Sequence, residues 1–171
     1  DSTRMPYKMH SYYLRNMYLK NLLRVPGGIT LLDTPIDLSK VKTPSYFIST
    51  MEDHIAPWRS VYLGSTVLGG PVRFALGGSG HIAGIVNPPS ANKYGFWTND
   101  AKTRPETPDE WFEGAKQHEG SWWTDWQKWI TALDDTKVPA RDPAKGKLKA
   151  LEDAPGSFVK FRLDTQKKTR K

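Results

Sequence analysis

No cysteine occurs among the 171 residues, so this chain offers no disulfide framework, no thiolate metal site and no thiol nucleophile of its own. The four histidines, His10, His54, His81 and His118, lack any regular ligand spacing, and no metal is expected. Long apolar runs are missing too. The longest, "YFI" and "VRFAL", fall far short of the roughly 20 residues a bilayer span needs, and no charged-then-apolar signal segment opens the chain. A soluble, cytoplasmic setting without a membrane span is the expectation. A nucleophile elbow of the form G-x-S-x-G or G-x-C-x-G is also absent, since "GGSGH" has His81 where the second glycine should stand. The sequence opens at Asp1 in mid-pattern and holds too few strands for an α/β sheet of its own, so it reads as a piece of a longer protein.

What is present is one domain's worth of chain with a modest hydrophobic fraction of 37%. Residues 1–136 carry 14 basic and 14 acidic side chains, and residues 137–171 carry 11 and 4, so the whole net charge of +7 lies in the tail. The division expected from this is a folded part, 1–136, followed by a basic, loosely ordered extension, 137–171, polar and punctuated by Pro and Gly. Its "KKTRK" end is short and unpatterned, which fits a solvated terminus better than a nucleic-acid contact.

Along the folded part, "KMHSYYLRNMYLKNLLR" places Met9, Tyr13, Met17 and Leu22 or Leu23 near one helical face until "VPGG" stops it. Pro and Asp in "ITLLDTPIDLSKV" suggest a hairpin or surface linker. "PSYFIST" is a Pro-bounded strand, "APWRSVYLGSTVLGG" a helix with Pro57 near its first turn, and "PVRFALG" a second strand. Strand, helix and strand within about 35 residues form a βαβ unit with parallel strands and a crossover helix. "VNPPSANKYGFW" reads as a loop, and Thr107 with Glu110 forms a capping box before a short helix. "SWWTDWQKWITAL" is the last strong helix, with Trp122, Trp126, Trp129, Ile130 and Leu133 on one face and Asp125 and Lys128 elsewhere. That stripe fits either packing on the core or contact with an apolar surface.

The chemistry gathers where two parallel strands end. Asp53 follows the first and His81, 28 residues later, follows the second; in open α/β sheets that edge holds the active site. An acid and then a histidine are the last two members of an α/β-hydrolase triad, in which the imidazole takes the nucleophile's proton and the carboxylate fixes its tautomer. Asp53 could instead cap the turn before "IAPW", and His81 could be an ordinary loop histidine. His54 beside the acid fits a surface position or a supporting contact. The fold class expected is α/β, the C-terminal portion of an α/β-hydrolase fold with parallel strands and crossover helices, followed by a helical, basic C-terminal extension.

Six segments, "DSTRMP", "YLRNMYLKNLL", "PIDLSKVKTPSYFISTMEDHIAPW", "GGPVRFALGGSGHIAG", "VNPPSANKYGFWTND" and "GSWWTDWQKWI", resemble in number and order the second half of the catalytic domain of the class I poly(3-hydroxyalkanoate) synthases. The resemblance implies an acyltransferase that polymerises (R)-3-hydroxyacyl-CoA into storage polyester, with the family's acid and histidine on Asp53 and His81. Its cysteine nucleophile would lie upstream of Asp1. Ala83 falls where the family tunes acyl-chain preference, favouring short chains, here 3-hydroxybutyryl-CoA; Ala83 and His54 are the candidate substrate contacts. The coenzyme A thioester is the substrate, and no cofactor is implied. The implied partners are the growing polyester chain, the upstream half of the same enzyme, a second copy in a homodimer and the proteins of the polyester granule surface. A polyester depolymerase or thioesterase on the same triad, or a piece that is inactive alone, are the alternatives.

Overall fold

The computed structural model describes residues 4–161. Among the described residues six short strands and four α-helices follow one another, and the contacts divide the chain into two units at Asp134/Asp135.

The N-terminal helix begins as the apolar spacing predicts, with α1 at Tyr7–Tyr13, but it does not continue as one α-helix. Residues Leu14–Leu19 widen into a π-helix, marked by the bond from Lys20 N–H to the Arg15 carbonyl. Widening brings side chains five apart together, as in the edge-on contact of Tyr13 with Tyr18 at 5.4 Å. Asn21, in the left-handed region at φ 49°, then breaks the run before a single turn at Leu22–Arg24. Met9 and Tyr13 of the expected apolar face are exposed, whereas Met17, Leu22 and Leu23 are half-buried. The following segment is a hairpin. Strands β1 (Thr30–Leu31) and β2 (Thr34–Pro35) pair antiparallel across Leu32 and Asp33, both at positive φ, the geometry of a tight turn that matches strand twist.

Strand β3 (Ser45–Thr50), helix α2 (Trp58–Ser65) and strand β4 (Val72–Gly77) form the expected βαβ unit. The strands are parallel and pair in register from Ser45↔Val72 to Thr50↔Gly77. Two strands that the sequence reading does not anticipate, the first in a segment read as loop and the second at the end of one read as helix, extend the sheet. Strand β5 (Phe96–Thr98) lies antiparallel to β4, and β6 (Lys116–His118) antiparallel to β5, so the order is β3-β4-β5-β6. The sheet is therefore mixed.

Alternation gives each face its own chemistry. Phe47, Phe74, Leu76 and Trp97 pack with Trp58 and Tyr62 of α2 and with Trp111 of α3 (Pro108–Glu113). Edge-on contacts of Phe74 with Tyr62 at 5.1 Å and with Trp111 at 4.9 Å lock this core, and the buried Tyr62 hydroxyl donates to the Pro105 carbonyl at 2.6 Å. Helix α3 starts at the expected capping box: Thr107 accepts from Glu110 N–H and Glu110 accepts from Thr107 N–H. On the opposite face Tyr46 and Arg73 meet helix α4 (Trp123–Leu133).

Here the helical wheel needs correction. Asp125 points toward the sheet, where both its oxygens accept from Arg73, at 2.6 and 2.7 Å, and one also accepts from the Tyr46 hydroxyl at 2.9 Å. Trp122 and Trp129 flank Tyr46, whereas Trp126, Ile130 and Leu133 are left exposed. A carboxylate counted as outward-facing is thus turned inward because a guanidinium from β4 waits for it. Burial works against the charge on Asp125, and the bonds from Arg73 and then Tyr46 overcome it, leaving its pKa below the ordinary value. Burial chiefly, then the adjacent carboxylate, raises the pKa of the Tyr46 phenol.

In the second unit the described residues 135–161 hold two single turns of 3-10 helix, Pro143–Lys145 and Phe158–Lys160, and no α-helix. The expected helical character of the extension is not found there; Pro139, Pro143, Gly146, Pro155 and Gly156 break the segment into short pieces. The "KKTRK" end lies outside the described residues.

Two of the ion pairs should differ in worth. Asp125→Asn removes a charge from a largely shielded, bidentate pair and should lower unfolding free energy by about 2 kcal/mol, read from the urea midpoint. Asp109→Asn, which breaks the exposed pair of Arg59 and Asp109, should cost less than about 0.5 kcal/mol.

Candidate active site

In-register pairing makes β3 and β4 end at the same level, and backbone bonds continue past both ends. Met51 N–H donates to the Gly77 carbonyl at 2.9 Å and Glu52 N–H to the Ser79 carbonyl at 3.0 Å. The loops that carry Asp53 and His81 are thereby laid side by side.

The loop after β4 turns at once. Gly78 N–H donates to the Gly95 carbonyl at 3.0 Å, and a side chain at Gly78 would collide with the Tyr94 carbonyl. Gly84 closes the turn through its N–H to the Gly80 carbonyl at 3.0 Å, and a Cβ there would strike the Gly78 carbonyl and the Thr50 methyl. Close approach, rather than handedness, is what the glycines of "GGSGHIAG" supply; the left-handed residue in the loop is Ser79, at φ 68°.

Within this frame His81 Nδ1 lies 2.8 Å from Asp53 Oδ2. The second carboxylate oxygen, Oδ1, accepts from the backbone N–H groups of Ile55 and Ala56, both at 2.9 Å. Asp53 thus caps the turn that leads to α2 with one oxygen and meets the imidazole with the other. The helix itself starts later, at Trp58, with Pro57 at its N-cap position.

The pair is asymmetric. The Asp53 side chain is 7% exposed and that of His81 46%. Three partners bias the acid. The Ala56 N–H first, then the His81 hydrogen bond, with the Ile55 N–H and the nearby imidazole adding less, hold the carboxyl pKa down at about 2 against the cost of desolvation. An ionised carboxylate only accepts, so the proton of the contact sits on Nδ1 and Nε2 is the ring nitrogen left facing outward. Such an arrangement can orient an imidazole for general-base work.

The other sequence candidates are not drawn into this contact. Ala83, two residues on in the same turn, is exposed. His54 is also exposed and makes no side-chain hydrogen bond among the described residues. No group of three or more His, Cys, Asp or Glu side chains able to hold a metal occurs among the described residues, and no helix there is long and apolar enough to cross a membrane.

Sequence reasoning missed the groups on the far side of the turn. Trp122 Nε1 donates to the Gly84 and Ile85 carbonyls at 3.1 and 3.3 Å, and Trp123 Nε1 donates to the Ile85 carbonyl at 3.0 Å. The only sequence signal was two adjacent tryptophans at the head of a helix, and hydropathy counts those as apolar surface rather than as donors.

Comparison with known proteins identifies close relatives, although no family model matches the chain. It is 52% identical over 163 residues, 95% of its own length and 26% of the relative's, to the "Poly(3-hydroxyalkanoate) polymerase subunit PhaC" of Rhizobium meliloti (strain 1021). The protein of the same description from Cupriavidus necator is 44% identical over 94% of this chain and 27% of that one. "Poly(3-hydroxyalkanoate) polymerase 2" of Ectopseudomonas oleovorans is 39% identical over 93% of this chain and 28% of its own length. The chain thus spans about a quarter of the length of these curated relatives. Likeness of this degree over nearly every residue makes the chain a homologue of about a quarter of the length of proteins named poly(3-hydroxyalkanoate) polymerases.

Proposed function

We propose that this chain supplies the acid and the base of the acyl-transfer site of a poly(3-hydroxyalkanoate) polymerase, with (R)-3-hydroxybutyryl-CoA as the preferred substrate. The contact of His81 Nδ1 with Asp53 Oδ2 at 2.8 Å, at the ends of two parallel strands, is the observation that carries this reading. The relatives named as polymerases support the reaction class. On the same reading the four-stranded sheet is one flank of an α/β-hydrolase sheet. The nucleophile, a cysteine, is supplied by the part of the polymerase that this chain does not span.

The chemistry divides as follows. His81 Nε2 takes the thiol proton, and the thiolate attacks the thioester carbonyl of the substrate. Coenzyme A leaves as its thiol, carrying the proton that the imidazolium returns, and the acyl group stays on the enzyme as a new thioester. A 3-hydroxyl from a second acyl unit then loses its proton to His81 and attacks that thioester, forming an ester bond and freeing the enzyme thiol. Asp53 keeps the Nδ1–H tautomer and stabilises the imidazolium at each step. Ala83, in the His81 turn, borders the acyl group, and its small side chain leaves the room that sets chain length; His54 lies at the rim. The polymer product at its granule surface is the partner.

Three measurements test this. In the intact polymerase His81→Ala should lower turnover about 10³-fold, and near-normal turnover would remove the base assignment. The 171-residue chain alone should release no coenzyme A from 3-hydroxybutyryl-CoA. Release should appear on mixing with the separately expressed remainder of the polymerase, and polymer rather than free hydroxy acid should accumulate. Enlarging Ala83 to Ser, Val or Met should shift the ratio of kcat/KM for short and medium acyl-CoA substrates more than it shifts the urea midpoint; a constant ratio would take Ala83 out of the pocket.

The pH response follows from Asp53. Its pKa in the folded state lies below the ordinary 3.8, so its ionised form stabilises the fold. That contribution is complete above 3.8 and is lost as pH falls through about 2. The stability gap between the natural chain and Asp53→Asn should therefore be constant at neutral pH and close between those two values. A gap that persists into stronger acid would contradict the low pKa.

A further inference from the structure

We propose that Trp122 and Trp123 are positioning residues that hold the His81 turn in its working geometry; this rests on the reading of His81 as the base. His81 stands near the start of the turn Gly80–Ile85, is 46% exposed in its side chain, and is held at its ring by one contact, to Asp53. One hydrogen bond to an exposed ring does not fix a loop. At the near end the turn is fastened by the bond of Gly78 to Gly95 and that of Glu52 to Ser79. At the far end the carbonyls of Gly84 and Ile85 receive no backbone donor among the described residues, and it is the two indoles that fill them.

The indole suits this role because it carries a single N–H on a rigid plane and is a donor only, so its direction is set once its ring is packed. Both rings are packed. Trp122 stacks on Tyr46 at 6.1 Å and meets Trp123 edge-on at 6.3 Å. Helix α4, which begins at Trp123 with Trp122 as its N-cap residue, is pinned to β4 by the bidentate pair of Asp125 with Arg73. A continuous chain of contacts therefore runs from the sheet through Arg73, Asp125 and the two indoles to the turn, and returns to the sheet through His81 and Asp53. The turn is gripped on both sides, and a displacement of about 1 Å at a catalytic group costs as much as 10²-fold in rate.

The two indoles are not equivalent. Ile85 has both as donors, whereas Gly84 has Trp122 alone. Losing Trp122 strands a buried carbonyl; losing Trp123 leaves a donor in place.

The test replaces each indole by a ring without the donor, in the intact polymerase. Trp122→Phe should lower kcat roughly tenfold or more with KM changed less than about threefold, and Trp123→Phe should lower it less. Trp126→Phe is the control, since its exposed ring donates nothing to the turn. Hydrogen exchange followed by peptide mass should rise in residues 78–86 of the Trp122→Phe protein and stay unchanged in β3 and α2, which separates a released turn from general destabilisation. Exchange in 78–86 equal to that of the natural protein, or a loss confined to KM, or equal effects of Trp122→Phe and Trp126→Phe, would overturn the proposal. Should Trp122→Phe fail to fold, Trp123→Phe, which leaves Ile85 one donor, decides: raised exchange in residues 78–86 with β3 unchanged upholds the proposal, and unchanged exchange there overturns it. Running His81→Ala alongside keeps the two readings apart. Retained turnover in that variant defeats the catalytic role of His81, whereas the exchange of residues 78–86 still decides whether the indoles hold the turn.

Discussion

Everything at the site depends on the register of β3 against β4. Thr50 opposite Gly77 ends both strands on one line, so two residues 28 apart in sequence arrive within hydrogen-bond reach. A slip of one residue would turn every side chain to the other face. Arg73 would then enter the core of Phe47, Tyr62 and Trp111, and Phe74 would face Asp125. The faces have such different chemistry that no neighbouring register offers a compromise. Register is set by the cost of burying a guanidinium among aromatic rings, and the alignment of the loops that carry Asp53 and His81 comes with it.

The polar face needs its own solution, because Tyr46 and Arg73 are covered by a helix full of tryptophan. Placing Asp125 among those rings satisfies the guanidinium with two bonds and the phenol with a third. A fork meeting a carboxylate in the plane allows little rotation of α4, unlike a purely aromatic contact, which tolerates sliding. Trp126, Ile130 and Leu133 are consequently left on the outer side, exposed. Rotating the helix to bury them would withdraw Asp125 from Arg73.

The elements that were legible in the sequence are those whose signals are local. Aromatic and β-branched residues in "SYFIST", with Pro and Gly bounding it and "VRFALG", identified β3 and β4, and Thr107 with Glu110 identified α3 through bonds three residues apart. Strands β5 and β6 were not legible, for three residues carry too little alternation to register and their pairing partners lie elsewhere in the chain. The inward face of α4 was misread because Asp125 counts as an outward residue unless Arg73, 52 positions away, is known to face it. The break at Asn21 was hidden for another reason: apolar periodicity ran on through Leu23, and the widened turn before it leaves the composition unchanged. At the site, sequence order paired Asp53 with His81, but nothing in it revealed that the indoles reach the same turn from behind.

Asp53 shows why its two candidate roles need not compete. An aspartate has one methylene, short enough for Oδ1 to reach the N–H groups two and three residues on while Oδ2 stays free. A glutamate could reach His81 but would swing away from its own turn. The capping bonds also set the electrostatics, since the Ala56 N–H is the leading cause of a pKa near 2. A carboxylate held that low is too weak a base to receive a proton from an imidazolium. It therefore remains an anion when the ring becomes charged, and its contribution is the Coulomb attraction and the fixed Nδ1 proton rather than a second proton transfer. The turn that looked like a structural alternative is what holds the acid as an anion beside the imidazole.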